Sequence, residues 1–169
     1  MQPSLNCLKL IKYFENCSLV AYADIFGVLT IGWGHTKDVF AGMTCTQEQA
    51  DRWLYDEINL FGSQILKALN ADEIEVNQNQ FDALVSFAYN LGTYTLVHGS
   101  RNAAITKIGQ IWQSLKYGNL EKAAEKFTLY TNKGVRGLVI RRTAESKLFL
   151  GTPIDEVLDW ARSEQSKKN

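Results

Sequence analysis

Two carboxylates and a hydroxyl fall close together near the start of the chain. They are Glu15, Asp24 and Thr30, in the stretch E-N-C-S-L-V-A-Y-A-D-I-F-G-V-L-T-I-G-W-G-H that runs from Glu15 to His35. Two acids in contrasting surroundings can split a glycosidic bond. One, kept protonated, gives its proton to the leaving oxygen; the other, ionised, stabilises positive charge or helps activate water. The local pattern predicts such a contrast. Leu5, Leu8, Ile11 and Glu15 share one face of a helix that Ser4 would cap after Pro3. At the end of that helix, partial burial and the negative end of the helix dipole both favour the protonated form of a carboxyl. Asp24 falls where the strand A-Y-A-D runs into a turn, a wetter place that keeps it ionised. Leu29 and Ile31 are apolar, so Thr30 between them points to the opposite face, where a cleft would lie. Each residue also has a plainer reading. Glu15 could be a helix-end residue turned to solvent or paired with an Arg, Asp24 a turn-former, and Thr30 an ordinary strand residue.

The elements around this stretch are legible from periodicity. Gly27, Gly32 and Gly34 suit tight turns and a small β-hairpin. Thr46 and Gln49 form a capping box for a long helix, with a stripe through Trp53, Leu54, Ile58, Phe61, Ile65 and Leu69 and a kink expected at Gly62. Asn77 caps a helix that is apolar nearly all round, through Phe81, Leu84, Val85, Phe87, Ala88 and Leu91, and Gly92 stops it. Such a helix belongs at the centre of a lobe. Ile105, Ile108, Trp112 and Leu115 predict a further helix ending at Gly118. Asn119 caps another, with Leu120, Ala123, Ala124 and Phe127 inside. A helix follows that carries Arg141 and Arg142. Neighbours on a helix point about 100° apart, so one of the two is expected inside. Arg141 could also pair with Glu145, four residues on. Thr152-Pro153 opens a short final helix with Pro at its first position, docked by Ile154, Val157 and Leu158; Ser163 to Asn169 is expected to fray.

Composition narrows the class. A chain of 169 residues with 46% apolar and 21% charged residues suits one soluble domain, residues 1–169, or two small lobes sharing a helix. No apolar run is long enough for a signal peptide or a membrane span, so the chain is expected to stay first in a cytoplasm. Three cysteines, Cys7, Cys17 and Cys45, argue against a disulfide framework, and two histidines make a His-based metal site a poor reading. No metal or cofactor is expected. The formal charge is zero, yet residues 1–76 hold five Lys/Arg against ten Asp/Glu and residues 77–169 hold thirteen against eight. The basic half could attract an anionic polymer; the plain reading is solvated helix faces. Nothing calls for nucleic acid, and a monomer is expected.

E-x8-D-x5-T followed by I-G-W-G-H-T resembles the catalytic signature of the phage-type lysozymes, glycoside hydrolase family 24. N-Q-F-D-A-L-V-S-F-A-Y-N-L-G, Asn79 to Gly92, resembles the central helix of that family. G-L-V-I-R-R-T-A-E-S-K-L-F-L, Gly137 to Leu150, resembles its G-L-x-x-R-R-x-x-E helix. The three blocks span roughly residues 5 to 151, and the pattern is closest to endolysins of lambdoid phages and related prophages. The run from Ile105 to Asn119 departs from the family. The resemblance implies an α+β, lysozyme-like fold. A small hairpin lobe, about 13–45, would be joined by a long helix, about 46–70, to a helical lobe, about 71–162, packed with the N-terminal helix 4–15. It implies hydrolysis of the β-1,4 bond between N-acetylmuramic acid and N-acetylglucosamine in peptidoglycan glycan strands. Glu15 would be the general acid, with Asp24 and Thr30 supporting attack by water. Tyr22 and Arg141 match substrate-side positions, with Arg141 approaching Glu15; His35 reads as a structural hydrogen bond or ion pair. A holin would let the enzyme pass from the host cytoplasm to the wall in the periplasm. There are two rivals: a lytic transglycosylase acting on the same bond, and a silent glycan-binding protein with this fold, whose mark would be the loss of Glu15 or Asp24; both are present.

Overall fold

The computed structural model describes residues 1–24, 27–99 and 109–167. Its elements run α1 (Leu5–Phe14), β1 (Ser18–Ala23), β2 (Leu29–Gly32), α2 (Gln47–Ala71), α3 (Gln78–Leu91), α4 (Thr93–His98), α5 (Gln110–Lys116), α6 (Leu120–Phe127), α7 (Arg136–Phe149) and α8 (Ile154–Ser166). A two-stranded antiparallel sheet beside a helical body is the α+β arrangement expected from the sequence.

Ser4 caps α1, its hydroxyl accepting from the Asn6 N–H at 3.0 Å. The same hydroxyl donates to Asp82, a fully buried carboxylate of α3, and the Ser4 N–H reaches Asp82 Oδ1 at 3.0 Å. The start of α1 is therefore bolted to the central helix by a group that periodicity treats as a misplaced charge. The buried face of α1 differs from the expected one. Cys7, Leu10 and Ile11 are buried, whereas Leu5 is 75% exposed. Both series have helical spacing, and the one through Cys7 and Leu10 faces α3 and α8.

Thr46 and Gln49 form the capping box of α2, and Asn77 and Gln80 that of α3, each with both reciprocal bonds. These caps let α2 run unbroken through Gly62. That glycine admits a neighbour: a β-carbon there would lie 2.9 Å from the Pro3 ring. Every residue of α3 from Gln80 to Ala88 is buried. The helix is the axis of the body, with α1, α2, α4 and α7 packed around it.

The expected helix through Ile105 and Ile108 lies partly outside the described residues; α5 begins at Gln110 and buries Ile111, Trp112 and Leu115. Asp72, the C-cap of α2, accepts from Trp112 Nε1 and Lys116 Nζ, both at 2.8 Å, and so ties α5 to α2. In α6, Ala123, Ala124 and Phe127 are buried, but Leu120 is 38% exposed, because it sits in the first turn beside the Asn119 cap. The last helix is longer than expected. Pro153 is its N-cap, not its first residue, and it continues to Ser166. The Arg136 guanidinium donates to the Glu164 carbonyl at 2.6 Å and to that of Lys167, which holds the tail that composition alone leaves loose.

Helices α4 and α5 meet at Gly109, where a β-carbon would fall 1.9 Å from the Leu96 carbonyl oxygen. Gly109→Ala should force the two helices apart and lower stability by roughly 1–3 kcal/mol, as overpacking does. Gly137→Ala, where a β-carbon meets nothing within 4 Å, should leave stability unchanged or slightly higher. Urea unfolding of both variants checks the pair.

Candidate active site

Glu15 is the C-cap of α1, at φ −96° and ψ 133°, its N–H still bonded to the Ile11 carbonyl. The chain thus leaves the helix at the acid itself, and β1 begins three residues later at Ser18. Its side chain is 23% exposed, and Oε1 accepts from Arg141 Nη1 at 2.6 Å. The partial burial expected for Glu15 is present, and the Arg pair foreseen for it is made with Arg141.

The hairpin carries the other three residues. Register pairs Ser18 with Gly32, then Tyr22 with Thr30 and Ala23 with Leu29. Between Ser18 and Tyr22, β1 advances four residues while β2 advances two, so an irregularity re-aims the strand. Tyr22 and Thr30 are consequently cross-strand neighbours on one face, while Ile31 is buried on the other. Thr30 is itself only 5% exposed, and its hydroxyl donates to the Val28 carbonyl at 3.0 Å. Asp24 closes the turn. Its Oδ1 accepts from the Val28 N–H at 2.8 Å, and its backbone N–H donates to the Val28 carbonyl at 2.9 Å. The plain reading of Asp24 as a turn-former describes one of its oxygens. Both strands have partners on their outer edges too. Ala21 donates to Met43 and Cys45 to Leu19 beside β1, and Ile31 and His35 exchange both backbone bonds beside β2.

Behind Glu15 lies a buried charge cluster. Arg141 and Arg142 are both buried, at 4% and 0% exposed, against the expectation that one of them would face out. The reason is that α7 is enclosed by α3, α6 and α8, so it has more than one inner face. Glu145, also fully buried, serves both arginines. Its Oε1 accepts from Arg141 Nε at 3.4 Å and from the Ser86 hydroxyl at 2.8 Å. Its Oε2 lies 3.2 Å from Arg142 Nε, an ion pair bent too far for a hydrogen bond. Arg142 Nη2 donates to Asn90 Oδ1 at 2.9 Å, and its guanidinium stacks 4.8 Å over the Phe87 ring. Burial lowers the Arg142 pKa from its ordinary value, with the Glu145 charge opposing. Arg141 thus meets both partners foreseen for it, Glu15 and Glu145. Ser86, Asn90 and Asp82 were not singled out from the sequence, since a polar residue inside an apolar helix gives no sign of its partner.

Beyond Trp33 opens a cavity of about 700 Å³, walled by Gly34, His35, Trp53, Glu57, Leu60 and Tyr89 among others. Glu15, Asp24 and Thr30 do not line it. Its back wall is a fixed relay. His35 Nδ1 lies 2.5 Å from Glu57 Oε1, and the Tyr89 hydroxyl shares its one proton between the Trp33 carbonyl at 2.8 Å and Glu57 Oε2 at 3.2 Å. The imidazole stacks on Trp53 at 4.6 Å. Burial first, then the Glu57 and Glu15 charges, raise the Tyr89 pKa far above that of a free phenol. The phenol therefore stays neutral and acts as a donor. Among the described residues no group of three or more His, Cys, Asp or Glu side chains could hold a metal ion.

Residues 12–145 match the family model described as phage lysozyme. The chain belongs to the phage lysozyme family, a family of enzymes. The matched segment contains Glu15, Tyr22, Asp24, Thr30 and Arg141. Among relatives, an endolysin of Lactococcus phage c2 is 38% identical over 151 residues, covering 88% of this chain and 60% of that protein. The chain therefore spans under two thirds of that relative's length. An endolysin of Salmonella phage P22 is 34% identical over 157 residues, covering 89% of this chain and 99% of the relative. Among solved structures, an endolysin from Escherichia coli O157:H7 phage FAHEc1 superposes with a TM-score of 0.73 at 32% identity, covering 90% of this chain and 96% of that one.

The enclosed position of α7 makes the charge cluster testable. Glu145→Gln keeps the shape but leaves two buried guanidinium groups without their shared anion. It should cost roughly 3–5 kcal/mol, the loss typical of breaking a buried ion pair. Calorimetric unfolding measures it, and a change below 1 kcal/mol would show that the arginines find compensation elsewhere.

Proposed function

We propose that this protein is a peptidoglycan hydrolase that cleaves the β-1,4 bond from N-acetylmuramic acid to N-acetylglucosamine. The reading rests on one observation: Glu15 stands at the exit of α1, clamped by Arg141, and the chain runs from it directly into the hairpin that carries Asp24 and Thr30. Membership of the family supports the reaction class.

Glu15 donates the proton to the glycosidic oxygen. Arg141 occupies Oε1, which leaves Oε2 to carry the proton. Asp24, oriented by the Val28 N–H, stabilises the oxocarbenium-like transition state or supports the incoming water. Thr30 has its only hydroxyl proton committed to the Val28 carbonyl. It can therefore meet a water only as an acceptor. A water held in that way keeps a lone pair for attack on the anomeric carbon. Direct attack by water inverts the configuration. Tyr22, beside Thr30 and 43% exposed, offers an aromatic surface to the sugar. The substrate is the glycan strand of the wall, no cofactor takes part, the enzyme works as a monomer, and a holin carries it across the membrane. No helix among the described residues is long and apolar enough to cross a membrane.

Glu15→Gln should fold normally and lose roughly 10²–10⁴-fold or more in rate on purified sacculi. Unchanged lysis by that variant would end the assignment. Separately, proton NMR of the fresh products should show the inverted anomer. A retained anomer would remove the water-holding role of Thr30. An anhydro sugar, lighter by one water in mass spectra, would indicate a transglycosylase instead.

A further inference from the structure

Asp51, on the second turn of α2, joins three parts of the molecule through one oxygen. Its Oδ1 accepts from Lys12 Nζ at 2.8 Å, from the Trp33 indole N–H at 2.6 Å and from Gln47 Nε2 at 3.0 Å. Lys12 lies in the last turn of α1, three residues before Glu15. Trp33 follows β2 directly, three residues after Thr30. Gln47 opens α2, and its side chain also contacts the Cys17 sulfur at 3.8 Å, two residues after Glu15. The Lys12 ammonium lies 5.0 Å from the Trp33 ring centroid, which closes the group. The Lys12 hydrogen bond, helped by those from Trp33 and Gln47, holds the Asp51 carboxyl below the usual carboxylate range.

Trp33 is gripped at two points. Its indole is bound to Asp51 on α2, and its carbonyl to the Tyr89 hydroxyl on α3. The hairpin itself is short, and β1 is mostly exposed. Such a ribbon is too small to be stable alone and takes its orientation from what it is tied to. The acid and the water-side residues sit on opposite sides of this tie: Glu15 on the Lys12 side, Asp24 and Thr30 on the Trp33 side.

We propose that Asp51, acting through Trp33 and Lys12, is a positioning residue that sets the hairpin residues Asp24 and Thr30 at their working distance from Glu15. This rests on the hydrolase reading above. The role is geometric. Asp51 touches neither substrate nor the reacting atoms, and displacing a reacting group by about 1 Å can cost up to about 10²-fold in rate.

Three variants test it: Asp51→Asn, Trp33→Phe and the double variant. Asp51→Asn keeps an acceptor for the indole but removes the charge that holds Lys12. Trp33→Phe keeps an aromatic ring beside Lys12 and removes only the N–H. Turnover is measured on purified sacculi, with kcat expressed per folded molecule and the folded fraction taken from thermal unfolding. Each single variant should lower kcat between about 10- and 100-fold with KM for the wall unchanged within about twofold. The double variant should fall no further than the worse single one, since the Lys12–Asp51 and Asp51–Trp33 bonds are links in series and the loss of either opens the tie. Either of two results overturns the proposal: a lower Tm with kcat per folded molecule unchanged, or losses that multiply in the double variant. If the unsubstituted protein itself leaves sacculi intact, the hydrolase reading has failed instead, and the two failures are told apart in one experiment.

Discussion

The molecule is organised around a carboxylate that never meets solvent. Glu145 sits fully buried between two arginines, and one of those arginines reaches forward to Glu15. Burying three charged side chains in a helical core is costly unless each has a partner. That requirement dictates the surroundings. Ser86 must place a hydroxyl on Glu145, Asn90 must place a carbonyl on Arg142, and Phe87 must offer its ring face. All three lie on α3, which is why α3 and α7 pack against each other as they do. Arg141 is thereby held from behind by its anion and cannot swing away from Glu15 without leaving that anion partly unpaired. Glu15 is aimed by a cluster it does not belong to.

The helix that carries Glu15 is fixed at both ends by charge. Asp82 receives the backbone and hydroxyl of Ser4 at its start, and Arg141 receives Glu15 at its finish. Between these ends a stripe of Cys7, Leu10 and Ile11 supplies the burial. Neither tether is legible in local pattern, because each joins residues more than seventy positions apart; only family resemblance brings Arg141 to Glu15. What could be read was local. Thr46 with Gln49, and Asn77, announce α2 and α3, since a cap bonds to residues two or three away. The apolar wrap of α3 announces the centre of the body. Leu5 misleads because two helical series cross at Ile11, and only packing against α3 and α8 chooses between them.

Arg142 shows the same boundary from the other side. Angular spacing says that adjacent residues cannot share one face, and that holds. It does not follow that one of them is exposed, because a helix enclosed on several sides has several inner faces. The site divides likewise. Residue types and spacing made Glu15, Asp24 and Thr30 candidates with a plainer reading left open for each, and both their roles and the approach of Arg141 to Glu15 came from family resemblance. The pairing of Tyr22 with Thr30 was hidden, because the irregularity between Ser18 and Tyr22 shifts the register and alternation alone cannot count across it. Asp51 was hidden too, as one acid among many on an exposed helix turn.

The backbone bonds on the outer edges of the hairpin bear on how any polymer could lie against it. One flank of the ribbon is occupied by residues 43–45 and the other by His35. Backbone groups committed in this way are not open to an added peptide strand or to the ribbon of a second copy. Recognition on this lobe is left to side chains and loop ends. A rigid sugar chain, which has no amide ladder to offer, suits that surface better than an extended polypeptide does.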